Sequence, residues 1–332
     1  MKRIAINGFG RIGRLTLRQL LKFPELEVVA INDLTDIQTL AHLFKFDSAH
    51  RKFNGTVSHN DQSIIINGKE IRALMIKDPL QLPWKDLEID IVLECTGIYL
   101  SHDTAQAHLT AGAKKVILSA PPKDSSIPTF VLGVNDSQLT YDIAIISNAS
   151  CTTNCLANVI KALHEGFGIS FASMNTIHAF TQDQRLQDAP HKDLRRARAA
   201  SINIVPTTTG AAKSVETVYP PIKGKLIASS YRVPVITGSL IEMICKLDKP
   251  VSKEIINAHF KSLANNQLKT ILEYSEDALV STDSIGNPHS AIFDSEMTEI
   301  NGDFVKVVAW YDNEAGYSAR LADMCNKFSS LS

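Results

Sequence analysis

The sequence lacks any strong excess of charge: 34 Lys and Arg stand against 35 Asp and Glu, a formal net charge of -1. A near-neutral chain has no global electrostatic pull toward nucleic acid or an anionic membrane surface, and neither is expected as a partner. It also lacks any apolar run approaching the ~20 residues that span a bilayer. Lys2 and Arg3 lead into Ile4-Ala5-Ile6, but Asn7 and Gly8 end that run too early for the apolar region of a secretory signal. Cysteine is scarce, with five residues scattered at positions 95, 151, 155, 245 and 325. An odd, dispersed set does not read as a disulfide framework, which places the protein in a reducing cytoplasm. No second cysteine pair completes a metal site with Cys151 and Cys155, so no metal is expected. Internal repeats, low-complexity tracts and an obvious linker are missing too.

What is present is ordinary globular material of 332 residues, 44% hydrophobic, which is comfortable for two domains. The first half alternates short apolar runs with helical patterns. Strands are expected at Arg3–Ile6, Val28–Ile31, Ile91–Leu93, Val116–Leu118 and Ile143–Ile146. Helices are expected around Ile12–Leu21, around Leu40–Phe44 and over 101–111. That alternation implies βαβ units and a parallel, Rossmann-type sheet in an α/β domain spanning 1–150. Asn67-Gly68 between two Ile-rich runs signals a hairpin within it. Beyond 150 the pattern changes to a helix at Leu156–Leu163 and long alternating segments at 169–180, 226–234, 239–248 and 304–311. These imply an α+β domain over 151–314 with a mainly antiparallel sheet. Leu321, Met324 and Phe328 suggest a last helix within 315–332 that packs back onto the first domain.

Gly8-Phe9-Gly10-Arg11-Ile12-Gly13 fits G-x-G-x-x-G. The pattern alone is weak, because glycines recur by chance and also serve structural turns. Here it follows a strand, opens a helix, and is followed about 20 residues later by Asp33 at the end of the second strand. Gly8 allows the tight turn, Gly10 lets backbone amides approach a pyrophosphate, and the helix N-terminus brings partial positive charge. Asp33 accepts from a ribose 2′-hydroxyl and repels a 2′-phosphate, so NAD is favoured over NADP.

Ser147-Asn148-Ala149-Ser150-Cys151 runs from a strand into a helix. Ser150 suits the N-cap, which puts Cys151 in the first turn, where the helix dipole is expected to lower the thiol pKa. The thiolate is the nucleophile. Cysteine is also often a small buried hydrophobe, the reading adopted for Cys95, Cys155, Cys245 and Cys325. His178 lies on a strand, where histidine is usually a satisfied core residue, but a polar cluster of Thr181, Asp183, Gln184 and Arg185 follows it. The basic run His191–Arg198 is ordinarily a solvated loop; in a near-neutral enzyme it suits a small phosphate. Thr207-Thr208-Thr209-Gly210 enters a helix and offers an anion site, or a cap alone.

In order and spacing these residues closely resemble the phosphorylating glyceraldehyde-3-phosphate dehydrogenase family, in its bacterial type. The resemblance runs from Ile4–Arg14 through Ser147–Leu156, His191–Ala200, Pro206–Lys213, Arg232-Val233-Pro234 and Trp310–Glu314. It implies that Cys151 attacks an aldehyde and that His178 activates the thiol and takes the hydroxyl proton as hydride leaves. The thioester then passes to inorganic phosphate. It implies a substrate phosphate held by Thr181 and Arg232, and an attacking phosphate held by Ser150, Thr209 and Gly210 with Arg196 nearby; Thr152 joins these binding residues. Gly8, Gly10, Arg11, Ile12, Gly13, Asp33, Lys77 and Ser119 would hold NAD, Asn313 would orient its carboxamide and Tyr317 would flank the ring. It also implies a homotetramer in which the segment around 180–205 reaches a neighbour's cofactor site. The chain departs from the family pattern at Val235–Ser239, Ala315, Ala189 and Asn158, none of which removes a catalytic group.

Three other readings compete. An erythrose-4-phosphate dehydrogenase would share the Cys–His pair but hydrolyse its thioester; the Thr207–Lys213 and His178–Thr181 runs look like the phosphorylating enzyme. A non-catalytic NAD sensor has no need of both Cys151 and His178. A semialdehyde dehydrogenase has no need of two oxyanion-rich segments.

Overall fold

The structure is a computed structural model that describes residues 1–331. Its chain divides into two compact units. The first comprises Met1–Phe130, Ser137–Ser150 and the chain from Ser318 onward; the second comprises Val131–Asp136 and Cys151–Tyr317.

In chain order the first unit contains β1 (Lys2–Asn7), α1 (Arg11–Leu20), β2 (Leu26–Asn32), α2 (Ile37–Lys45), β3 (Val57–His59), β4 (Ser63–Ile66), β5 (Lys69–Leu74), β6 (Ile91–Glu94), α3 (His102–Thr110), β7 (Lys115–Leu118) and β8 (Ile145–Ser147). They form an eight-stranded sheet in the order β3-β4-β5-β2-β1-β6-β7-β8. Pairing is parallel from β5 to β8, and β3 and β4 add antiparallel strands at one edge. This is the Rossmann-type sheet expected. Chain order reverses at β1, with β2 on one side and β6 on the other, so the loops after β1, β2 and β6 converge at a topological switch point. The strands read as continuous apolar runs because both faces are covered: Ile4, Ala5, Ile6, Val92, Leu93, Ile117 and Leu118 are fully buried. The amphipathic α1 buries Leu15, Leu17 and Leu20, each contributing about 1.5–3 kcal/mol. Asn67 and Gly68 take φ of 50° and 80°, the pair of positive values that a two-residue hairpin between β4 and β5 requires.

The second unit contains α4 (Cys151–Phe167), β9 (Ile169–Ala179), β10 (Val205–Thr207), α5 (Ala211–Val218), β11 (Leu226–Val233), β12 (Ser239–Leu247), α6 (Lys253–Asn265), β13 (Leu272–Ser275), β14 (Ala291–Asn301) and β15 (Phe304–Tyr311). The seven-stranded sheet runs β10-β11-β9-β12-β15-β14-β13 and is mostly antiparallel, with parallel pairs at β11–β9 and β13–β14. α7 (Ala315–Ser330) ends the described chain, and its residues from Ser318 belong to the first unit. There the Lys115 ammonium lies 4.0 Å from the Phe328 ring centroid and 4.4 Å from that of Tyr141, a cation held between two rings.

Two boundaries differ from expectation. The strand expected from Ile143 begins at Ile145, and α4, which starts at Cys151 as the Ser150 N-cap implied, runs past the apolar stretch Leu156–Leu163 to Phe167. Its first turn breaks the apolar rhythm with Thr152, Thr153 and Asn154, yet all three are buried. β14 escaped the pattern because Asp294, Glu296 and Glu299 interrupt it, and its pairing with β15 shifts register between Asp294 and Glu299. No helix among the described residues is long and apolar enough to cross a membrane.

The Phe260 ring of α6 stacks on Phe293 of β14 at 3.8 Å with an interplanar angle of 9°, and both side chains are fully buried. Phe293→Ala is expected to cost about 3–5 kcal/mol, read from urea unfolding. A loss under about 1 kcal/mol would mean that this stack is not part of the core.

Candidate active site

The segment Asn148-Ala149-Ser150 links β8 to α4, with Ala149 at φ 58°, a left-handed turn that a non-glycine residue adopts only under constraint. Ser150 therefore directly precedes α4, and Cys151 is its first residue. The Cys151 Sγ lies 3.5 Å from Nε2 of His178, near the end of β9. In the neighbouring strand β11, Arg232 pairs in register with His178. Its Nη1 lies 2.6 Å from His178 Nδ1 and donates to the Ala179 carbonyl at 3.0 Å.

These three side chains define an electrostatic unit. Burial pushes the Cys151 thiol up, and Arg232 pulls it down, with smaller pulls from hydrogen bonds to Thr152. The net direction is upward, opposite to that expected from the helix N-terminus alone, because removing a thiolate from water outweighs the nearby positive charges. His178 is driven down to about 3 by burial and then by Arg232, against a small upward pull from the Ala179 carbonyl. The imidazole is thus neutral at physiological pH, and its single proton has two places to go.

Nδ1 stands 2.7 Å from the Ala179 carbonyl, which can only accept, and 2.6 Å from Arg232, which can only donate. A proton on Nδ1 suits the carbonyl and leaves the Nε2 lone pair facing the sulfur, the form a base needs. A proton on Nε2 suits Arg232 and presents an N–H to the sulfur, the form that holds a thiolate. Each tautomer of His178 matches one protonation state of Cys151.

The surroundings hold this unit in place. The Tyr311 hydroxyl bonds to Thr152 at 2.9 Å and to Thr176 at 3.0 Å, tying the first turn of α4 to β9. The Tyr311 ring meets His178 edge-on at 6.0 Å. Burial drives the Tyr311 phenol well up, so it remains a neutral linker. The Ser239 hydroxyl accepts from the Ala179 N–H at 3.0 Å and donates to Asn313 Oδ1 at 2.9 Å, and Thr237 adds a weaker contact at 3.3 Å. With Oδ1 engaged by hydroxyls, the Asn313 amide turns its NH2 group away from them as a donor. Asp312 accepts from Thr237 Oγ1 and from the N–H groups of Glu314 and Ala315, which fixes the start of α7, where Tyr317 is buried. Tyr311, Ser239 and Thr237 were not singled out by sequence reasoning, since nothing in the chain order pairs a hydroxyl at 239 with an amide at 313.

The anion-binding candidates fall into two groups. Thr181 lies two residues past the end of β9 and Arg232 is half-buried beside His178. Arg196 donates through Nε to Thr207 Oγ1 at 2.7 Å and pairs with Asp183, which sets it against β10 just ahead of Thr209 and Gly210. The Thr209 hydroxyl accepts from the Ala211 N–H at 3.1 Å, and Gly210 occupies the N-cap of α5 with no side-chain bond of its own. Arg196 and Asp183 act on the charge of Arg232 in opposite senses, so the two groups are within electrostatic range.

In the first unit the dinucleotide candidates gather at the carboxyl ends of the parallel strands. Gly8 follows β1 at φ 93°, and a Cβ there would lie 2.6 Å from the Thr96 nitrogen. Gly13 abuts the Gly8 carbonyl, where no side chain fits, while Gly10 faces open space. α1 has no side-chain cap and no acidic residue in its first turn, where Arg11 and Ile12 stand, so its start is suited to an anion from outside the chain. Asp33 accepts from the Phe9 N–H at 2.8 Å, which anchors the carboxylate to the glycine loop. Ser119 follows β7 and bonds to Cys95, which is partly accessible rather than packed away. Lys77 is exposed, and its carbonyl accepts from Tyr99 at 2.9 Å. The Arg11 guanidinium is engaged by Asp47 at 2.5 and 3.2 Å. A tight glycine turn, an uncapped helix start and an anchored ribose carboxylate together fit a dinucleotide. Cys155, Cys245 and Cys325 are buried, and no cluster of metal-ligating residues occurs among the described residues.

Comparison with known proteins agrees with this geometry. Residues 2–102 match the family model described as glyceraldehyde 3-phosphate dehydrogenase, NAD binding domain, and residues 150–313 match its C-terminal domain. The chain is 52% identical over 328 residues to glyceraldehyde-3-phosphate dehydrogenase 1 of Bacillus cereus, covering 98% of this chain and 97% of the relative. It is 53% identical over 329 residues to glyceraldehyde-3-phosphate dehydrogenase of Mycobacterium avium, covering 97% of each. With that of Thermotoga maritima it is 52% identical over 326 residues, covering 97% of this chain and 98% of the relative.

Because Arg232 pulls the Cys151 thiol down, Arg232→Gln should move its ionisation upward. The midpoint of the pH profile for iodoacetamide alkylation of Cys151 is expected to rise by about one unit or more. A midpoint that stays or falls would remove Arg232 as the charge that activates the thiol.

Proposed function

The chain belongs to the glyceraldehyde 3-phosphate dehydrogenase family and is an NAD-dependent oxidoreductase; on that premise we propose that it oxidises D-glyceraldehyde 3-phosphate through a thioester on Cys151 and transfers the acyl group to inorganic phosphate. The observation that carries this reading is the Cys151–His178 pair at 3.5 Å with Arg232 against the imidazole. A thiol beside a neutral, buried imidazole is suited to attack a carbonyl and pass on a proton without a metal.

His178 takes the thiol proton through Nε2 as Sγ attacks the aldehyde carbon, and the N-terminal amides of α4 face the oxygen as charge develops. His178 gives that proton to the oxygen as the hydroxyl forms, and takes it back as the hydride leaves. NAD, when bound, would supply the nicotinamide that accepts the hydride from that carbon. The thioester left on Cys151 keeps the energy of oxidation. Thr181 and Arg232 hold the phosphate of the substrate, while Ser150, Thr209 and Gly210, with Arg196 nearby and Thr152 beside Cys151, receive the attacking phosphate. Attack on the thioester carbon releases 1,3-bisphosphoglycerate and returns the sulfur to the enzyme. Asn313 offers its NH2 to a carboxamide oxygen, and Tyr317 stands beside it at the start of α7.

The first unit supports NAD binding through Gly8, Gly10, Arg11, Ile12, Gly13, Asp33, Lys77 and Ser119, with Asp33 directed against a 2′-phosphate. The homotetramer and the cytoplasmic location are part of the same proposal. Leu186, Leu194, Ile202 and Ile204 are 70% or more exposed, an apolar surface of the 180–205 segment suited to burial against a second copy. All five cysteines are free thiols, consistent with a reducing compartment.

NADH formation from glyceraldehyde 3-phosphate is expected to require inorganic phosphate, and Cys151→Ser to lose roughly 10³-fold or more in kcat. Turnover that ignores phosphate and prefers erythrose 4-phosphate would replace this reading with the hydrolytic relative. An unchanged rate in Cys151→Ser would reject the covalent mechanism.

A further inference from the structure

Beneath the glycine loop of the first unit lies a buried polar chain that the proposed chemistry does not use. Glu94, the last residue of β6, and His108 of α3 are both completely buried. Glu94 Oε2 receives His108 Nε2 at 3.0 Å and Asn7 Nδ2 at 2.6 Å. Glu94 Oε1 receives the Thr96 N–H at 2.7 Å and the Thr96 hydroxyl. On the far side of the imidazole, Trp84 Nε1 approaches His108 Nδ1 at 3.0 Å.

Every proton in this chain is assigned by chemistry. An indole N–H can only donate, so His108 Nδ1 must accept, Nε2 must carry the proton, and the ring is neutral. A carboxylate can only accept, and its two oxygens are filled by four donors. Asn7 must therefore turn its NH2 toward Glu94, which leaves its Oδ1 to accept from Asn32 Nδ2 at 2.7 Å. Asn32 then closes a pair with the backbone of Ile76, donating to its carbonyl and accepting from its N–H, each at 2.9 Å. Reversing any one amide or ring would oppose like groups in a buried site.

The members end the strands that bear the dinucleotide loops. Asn7 precedes Gly8, Asn32 precedes Asp33, Ile76 precedes Lys77, and Thr96 is the residue whose nitrogen the Gly8 turn abuts. A single buried anion thus orders four loops at once. It also suppresses its neighbour: burial and then Glu94 push the Cys95 thiol up to about 12, keeping that sulfur unreactive beside the loop.

We propose that Glu94 is a positioning residue for NAD, its carboxylate held by His108 and Trp84 on one side and Asn7 on the other so that the loops at Gly8, Asp33, Lys77 and Thr96 share one preset register. The inference rests on the proposed use of NAD, so NAD binding by the parent protein is measured first; absence of binding there would be a failure of that reading and not of this one. Glu94→Gln keeps the shape but sets one NH2 against a donor. Its Kd for NAD, by titration calorimetry, is expected to rise about 10- to 100-fold. Its kcat at saturating NAD and its Cys151 alkylation rate are expected to stay within about twofold, because neither depends on the loop register.

Trp84 gives a readout independent of activity. In a Trp310→Phe background, where it is the one remaining tryptophan, NAD should change its emission, and Glu94→Gln should abolish that response. Should Glu94→Gln not fold, Thr96→Val removes the hydroxyl bond to Glu94 and leaves the carboxylate and the backbone N–H bond at 96 intact. Its Kd is expected to rise about fivefold, while Thr96→Ser, which keeps the hydroxyl, stays near the parent value. An NAD Kd within twofold of the parent in a folded Glu94→Gln or in Thr96→Val would overturn the proposal, as would equal losses in binding and kcat.

Discussion

A guanidinium set beside an imidazole governs the second unit. Arg232 is half-buried, presses on His178 Nδ1 and shares the Ala179 carbonyl with it. In water that arrangement would be a mild repulsion between a cation and a weak base. Here burial and the guanidinium together keep the ring neutral far below its ordinary range. The same charge opposes the cost of a thiolate at Cys151. One residue thus lowers the ionisation of both partners, favouring a thiolate at Cys151 and a neutral ring at His178, and this requires β11 to run beside β9 in the register that puts 232 opposite 178.

That register explains why a mostly antiparallel sheet contains a parallel pair at its working edge. In the β11–β9 pair both strands end in the same direction, so Arg232 and His178 emerge together. β12 then returns antiparallel on the other side of β9 and delivers Ser239 to the Ala179 N–H. The ordering continues from Ser239 to Asn313 and from Asp312 to the first turn of α7. In the first unit an analogous task falls to side chains rather than to register, because parallel strand ends present loops that the ladder itself does not align.

The sequence made much of this legible for a physical reason. Local signals survive in chain order: the Asn67-Gly68 turn, the glycine loop after β1, and the strand–turn–helix that delivers Cys151 depend on neighbours within a few residues. The features it hid are made across long separations. Trp84, Glu94, His108 and Asn7 meet only after β1 and β6 pair, and each alone reads as an ordinary polar residue. The thiol pKa was misjudged on the same grounds, since the helix terminus can be read locally but the surrounding burial cannot. In the first turn of α4, Thr152, Thr153 and Asn154 are buried although polar, and Thr152 finds its partner in Tyr311, more than a hundred positions on.

The positions where this chain leaves the family pattern bear on how its site is held. Thr237 and Ser239 lie in the divergent segment, and both bond to the Asp312-Asn313 turn. Between them Gly238 takes φ of 88° and abuts the Ser281 carbonyl, so the backbone there admits no side chain. Divergence at 235–239 therefore came with its own internal bracing, two hydroxyls on either side of a glycine that can make the turn. Ala315 opens α7 directly behind that brace, with its N–H given to Asp312 and its small side chain buried. The amide oxygen of Asn313 is held by the Ser239 hydroxyl, while Thr237 gives its proton to the neighbouring Asp312. Hydrogen bonds of this kind are directional but individually modest, about 1 kcal/mol each. The geometry of the Asp312-Asn313 turn depends on keeping both of them, Ser239 on the amide and Thr237 on the carboxylate.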